Sequence, residues 1–200
     1  MALVQLVPPA TEPVSLADVK NHLRVDADLS VDDVLIGLLI SAARRYGEMV
    51  TGRSWITQQW RLQLDGLYSC DCEPGNGIVE LDRGIVQSVD AITYLDTSSV
   101  SQTMDLAQLA QDLVSLPARI SPKFGMVWPV TLPQIGAIQI DYTAGYGDEA
   151  EDVPEGLRQW LLVRVSTLYE HRQEVEVQRG KIETPAFIDG LLDPYKVLTV

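Results

Sequence analysis

The residues of this 200-residue chain best suited to chemistry are two histidines, two cysteines and one run of acids. A metal site at His22 or His171 would need further ligands converging on it, and the spacing supplies no such set. Cys70 and Cys72 flank Asp71. Tetrahedral zinc calls for two ligand pairs spaced by about two to four residues, and no second pair exists. A disulfide between residues two apart would be strained, so both read as free thiols in a loop. Asp148, Glu149, Glu151 and Asp152 do not alternate around a fixed glycine as a calcium loop does. They read instead as acids at the positive end of a helix dipole. Tyr142-Thr143-Ala144-Gly145-Tyr146-Gly147 lacks the Lys-Ser/Thr of a phosphate loop, and the acids after it would repel phosphate. No G-x-S-x-G elbow supports a Ser–His–Asp triad. The basic residues, Arg44, Arg45, Arg53 and Arg61 among them, are scattered and form no nucleic-acid stripe. These residues point to no enzyme and to neither metal nor cofactor.

The elements behind them change period twice along the chain. Ser15 with Asp18 has the form of a capping box, and Leu16, Val19 and Leu23 then share one face of a two-turn helix. Residues 25–30 are a polar break. Ser30 with Asp33 is expected to cap a second helix running to Val50, with Gly52 as its stop. Its expected buried stripe is Leu35, Leu38, Leu39, Ala42, Tyr46, Met49 and Val50. Ile56, Gln58, Trp60, Leu62 and Leu64 then alternate with polar neighbours, a half-buried strand. Further strands are expected at 78–81, within 86–95, and at 135–142, where Ile138, Ile140 and Tyr142 share a face. Residues 104–116 suit helix and strand equally. Pro154 suits the first position of a returning helix, whose stripe is Leu157, Trp160, Leu161, Val165, Leu168 and Tyr169. Residues 173–181 are polar. Thr184 is placed to cap a short last helix that Pro194 ends, followed by an apolar, extended tail. The expected fold is α+β: mainly an α-helical bundle (1–54 and 150–200) with an inserted small antiparallel β-subdomain (55–149).

Charge and length narrow the classes of function. The net charge is −13, from 28 acidic against 15 basic residues. Such a surface repels phosphates and favours solubility and basic or apolar protein partners. No apolar run approaches the ~20 residues needed to cross a bilayer. The apolar start, residues 1–10, lacks the basic region of a signal peptide. The expectation is synthesis in the cytosol with no membrane association.

Several segments in order resemble the tailed-bacteriophage head–tail connector (adaptor) family, of the gene product 6-like type. They are Pro13-Val14-Ser15-Leu16-Ala17-Asp18-Val19-Lys20-Asn21-His22-Leu23-Arg24-Val25, then Ala42-Ala43-Arg44 and Thr51-Gly52-Arg53. After these come Ile92-Thr93-Tyr94-Leu95-Asp96, Trp128-Pro129 and the Tyr142 to Gly147 motif. Leu168-Tyr169-Glu170-His171-Arg172 and Leu191-Leu192-Asp193-Pro194-Tyr195 close the set. The resemblance implies a ring subunit below the portal, dodecameric in the particle, that extends the DNA channel and docks the tail. It implies the portal protein, a tail or stopper protein and further copies of this chain as partners. DNA would pass without specific binding. The implied location is the virion head–tail junction, with the host cytoplasm before assembly. A tail-completion or tail-terminator ring is the alternative, and a small acidic hydrolase a remote one. Tyr195, Lys196, Val197, Leu198, Thr199 and Val200 are the expected partner-binding residues, because an apolar end that favours extended structure suits a partner's sheet edge or groove.

Overall fold

The period-two stretches build one of two units of similar size. A computed structural model describes residues 1–66, 77–171 and 190–197. Its elements are β1 (Ala2–Val7), α1 (Leu16–Leu23), α2 (Asp33–Thr51), β2 (Gln58–Leu64), β3 (Val79–Leu81), β4 (Val86–Leu95), β5 (Ser101–Thr103), β6 (Leu109–Asp112), β7 (Ala118–Pro122), β8 (Ile138–Ala144) and α3 (Glu155–Glu170). They fall into two compact units, one of Met1–Pro9 with Thr57–Gly145 and Val197, the other of Ala10–Ile56 with Tyr146–Lys196.

The first unit holds two antiparallel sheets, in strand orders β1-β2-β8-β4-β5 and β3-β7-β6. β8 is the middle strand of the larger sheet. Its alternation turns Ile138, Ile140, Tyr142 and Ala144 inward, where they meet Leu62 and Ile92 of the same sheet and Leu81, Leu109 and Ile120 of the smaller one in a single apolar core. The buried Trp60 and Leu62 follow the alternation expected of β2. Residues 104–116, suited to either structure, make a 3-10 turn at Leu106–Gln108 and then β6. Asp105 caps that turn by accepting the Ala107 backbone N–H at 2.9 Å.

The second unit packs α1, α2 and α3 around Val19, Ile36, Ile40, Trp55, Leu157, Trp160, Leu161 and Val165. The Ser15–Asp18 capping box forms, with the Asp18 N–H donating to Ser15 Oγ at 3.1 Å. Trp55 and Trp160 meet edge to face at 5.9 Å. Gly47 makes this approach possible: a Cβ there would lie 2.3 Å from the Trp55 ring. Gly52 ends α2 in the left-handed region, φ 68°.

Three expectations need correction. The fold is not mainly a helical bundle: three α-helices stand beside eight strands in two sheets among the described residues. The chain's first residues join the large sheet as its edge, and residues 101–122 supply three short strands that alternation does not mark. The last expected helix, at 184–192, falls almost wholly outside the described residues, and Asp193–Tyr195 form a 3-10 turn. The second correction concerns the cap of α2. Asp32 is its N-cap and makes no side-chain cap bond, because its Oδ2 accepts the Tyr169 hydroxyl at 2.5 Å and Asp33 turns to Lys20. The third concerns the face that α2 buries. Ile36, Ile40, Ala43, Arg44, Gly47, Glu48 and Thr51 are inside, while Leu38, Tyr46 and Met49 are exposed. An ion pair and a glycine occupy the inner face, and counting apolar residues steers away from both.

Candidate interaction surfaces

The sequence signals for chemistry lead to structural roles. His22 is exposed in the last turn of α1, and His171 is the exposed cap residue of α3, its N–H donating to Thr167 O at 3.0 Å. Cys70 and Cys72 lie outside the described residues. Among the described residues no group of three or more His, Cys, Asp or Glu could hold a metal ion. The acid run caps a 3-10 turn at Ala150–Asp152, where the Glu149 N–H donates to Asp152 Oδ2 at 3.0 Å. Gly147 sits so close to that carboxylate that a Cβ would lie 2.1 Å from it. The glycine motif is therefore a tight exit from β8. Gly145 donates to Ile85 O at 2.9 Å, and the Tyr142 hydroxyl donates to Asp82 O at 3.0 Å. Burial, chiefly, pushes the Tyr142 and Tyr146 phenols above their usual value.

Two buried charged networks escaped sequence reasoning, and both lie in the helical unit. Arg44 is buried and donates through Nε to Glu12 at 2.7 Å and through Nη1 to Glu48 at 2.9 Å. Glu48 in turn accepts the Trp55 backbone N–H at 3.0 Å. Buried Lys20 donates to the carbonyls of Ala27 and Leu29 at 3.2 and 2.9 Å and pairs with Asp33 at 2.5 Å. It thereby ties the polar break between α1 and α2 to both helices. Only the four-residue spacing of Arg44 and Glu48 could have signalled the first network. On the sheet unit, Arg61 and Asp141 form a half-exposed bidentate pair at 2.6 and 2.7 Å. The hydrogen bond to Asp141 raises the Arg61 pKa.

The expected partner-binding residues divide. Tyr195 is half-buried against the helical core, its hydroxyl 2.9 Å from where a Cβ on Gly156 would stand. Lys196 pairs with Asp193 at 2.7 Å, and Val197 is half-buried. Leu198, Thr199 and Val200 lie outside the described residues. The helical unit also carries a groove of about 860 Å³ whose lining includes Pro13, Asp18, His22, Glu151, Glu155 and Arg158. No described helix is long and apolar enough to cross a membrane.

Besides β1, where Val4, Leu6 and Val7 are exposed, large exposed apolar side chains mark two further regions. One is the outward side of α2, with Val34, Leu38 and Met49. The other is residues 124–135, with Phe124, Val127, Val130 and Ile135. Contiguous exposed apolar surface marks protein, membrane or ligand contacts, whereas single exposed apolar side chains are ordinary.

The chain belongs to the family of phage gp6-like head-tail connector proteins, whose sequence model matches residues 13–115. It is thus a structural connector subunit. Solved structures share the fold over its whole length. A chain in the neck of an empty gene transfer agent (GTA) particle, computed with C6 symmetry, has a TM-score of 0.79 at 22% identity. A chain in the virion of the native GTA particle has the same values. A chain in the native GTA neck computed with C12 symmetry has a TM-score of 0.73 at 23% identity. Each comparison covers 100% of this chain and 97% of the other. No curated protein matches the sequence.

Proposed function

We propose that the protein forms a ring, dodecameric in the particle, below the portal at the head–tail junction of a tailed phage or prophage, where it extends the DNA channel and docks the tail. The observation that carries the reading is the end-to-end likeness to a chain of a neck computed with C12 symmetry, joined to the family match. Cyclic rings are built from heterologous contacts, with unlike surfaces of neighbouring copies meeting. Much of the net charge of −13 faces the channel, so that DNA slides past without sticking. Terminal residues 195–200 dock on a neighbouring copy or on the portal.

Electron microscopy of portal-bearing capsids mixed with the purified protein tests the ring. Density for a ring with an acidic lumen is expected. Two-fold contacts only, or a basic lumen, would overturn the proposal. Because Tyr195 packs into its own unit and Lys196 pairs with Asp193, the test of the terminus starts after them. Deleting residues 197–200 should leave the thermal melting temperature nearly unchanged and abolish capsid binding. A truncated protein that still joins heads to tails sinks the role of the terminus.

A further inference from the structure

A heterologous ring contact needs two different surfaces on one chain, and besides the β1 edge two apolar ones stand out among the described residues. The first is on α2. Val34, Leu38 and Met49 are 62–77% exposed, and exposed Ala42 and Arg45 lie between them on the same side of the helix. Beside this stripe stands Tyr46, still 41% exposed. Its ring stacks on Trp160 at 6.2 Å, with the Arg164 guanidinium 5.2 Å from its centroid. Tyrosine held rigidly in this way loses little freedom on binding and is the residue type that dominates interfaces.

The second surface is the segment before β8. Residues 124–140 contain no Asp, Glu, Lys, Arg or His, in a chain that is 22% charged. Phe124, Val127, Val130 and Ile135 in it are 74–109% exposed. Exposed apolar loops are usually mobile, but this one is fixed at several points. The Met126 N–H donates to Lys123 O and the Leu132 N–H to Leu95 O, each at 2.9 Å. The Gly136 N–H donates to Asp65 Oδ1 at 2.8 Å. Trp128 is buried, and its indole N–H donates to Gly77 O. The loop is thus held in shape while four apolar side chains point into water. Such preorganisation lowers the ordering cost of binding.

We infer that in the assembled ring the 124–135 loop of one copy packs on the outward α2 stripe of the next, with Phe124 and Tyr46 near the centre of the contact. The occupant is a second copy because the two surfaces are unlike, as a heterologous ring contact requires, and are both free of acids in a strongly acidic chain. This inference rests on the ring reading above, and its test separates the two.

In a Cys70→Ser/Cys72→Ser background, Ala42→Cys and Val127→Cys proteins, which keep Leu38 and Phe124, are mixed in equal amounts. The mixture is assembled on portal-bearing capsids or at high concentration and treated with a short bis-maleimide. The mixed sample should give a covalent dimer that neither variant gives alone. Phe124→Ser should reduce ring incorporation about tenfold or more, as truncating a central interface anchor does, with an unchanged urea midpoint because Phe124 is fully exposed. Rings that form without the mixed dimer, or a Phe124→Ser protein that assembles normally, overturn the pairing and leave the ring reading standing. Wild-type protein that forms no ring in either setting overturns both.

Discussion

The sheet unit and the helical unit are stabilised in different ways. In the first, strands alternate and their inward sides fill one apolar core. Gln58 is its only buried polar or charged side chain among the described residues. In the second, Lys20, Arg44, Glu48, Thr51 and Ser54 are all buried. An apolar core tolerates exchange of one hydrophobic shape for another, because the driving force is non-directional. A buried ion network does not, since each charge is stable inside only while its partner is present. The helical unit should therefore be the more sensitive to single substitutions.

The largest expected effect is at Arg44. Arg44→Ala removes the cation that Arg44 sets beside the buried Glu48 and should destabilise by about 3–5 kcal/mol, read from urea unfolding. Arg44→Met with Glu48→Gln, whose amide oxygen still accepts the Trp55 backbone N–H, should cost less than Arg44→Ala. A double variant as unstable as the single one would mean that shape, not charge, is decisive there. Next comes Gly47→Ala, where the added methyl meets the Trp55 ring; about 1–3 kcal/mol is expected from such overpacking. In the sheet unit, Ile140→Val at the centre of β8 should cost only about 0.5–1.5 kcal/mol. If it costs more than Arg44→Ala, the contrast between the units fails.

Smaller still is the half-exposed Arg61–Asp141 pair. A double-mutant cycle should give about 1 kcal/mol or less, falling with added salt. The last prediction concerns Asp112, whose carboxyl is held well below the usual range by hydrogen bonds from Ser115 and then Arg119. A carboxylate with a lowered folded pKa adds stability above its unfolded value of about 3.9. That contribution is lost as pH falls through the folded pKa. Carbon-13 NMR should show Asp112 titrating below pH 3.9. Arg119→Ala should raise that value only in part, because Ser115 still donates. A normal titration in the wild type would refute the assignment.

How much of this was legible follows from the same contrast. The alternation at β2 and β8 and the Ser15–Asp18 box were readable because each reports a local rule that the fold obeys. The edge strand β1 was not: its residues are exposed on both sides except Leu3, so no alternation marks it. The strands at 101–122 are too short to show a period. On α2 the apolar spacing was real, but Leu38, Tyr46 and Met49 turned out to be the outward side. Apolar periodicity shows that a face favours cover, and it does not say whose residues supply the cover. Arg44 and Glu48 were invisible for the opposite reason, since their charge argues against burial until the partner is seen. The 124–135 loop has no period at all, and only its lack of charge could have singled it out.

β8 has a consequence for the protein's birth on the ribosome. It lies between β2 and β4, yet it is the last strand of its sheet to be translated. Until residues 138–144 emerge, β1–β2 and β4–β5 can exist only as separate two-stranded ribbons, each marginal alone. At roughly 5–20 residues per second, the nascent chain waits several seconds between completing β2 and receiving the strand that joins the halves. A message cut short before codon 138 would therefore release two open ribbons with no central strand to join them, and would yield no shortened, working sheet.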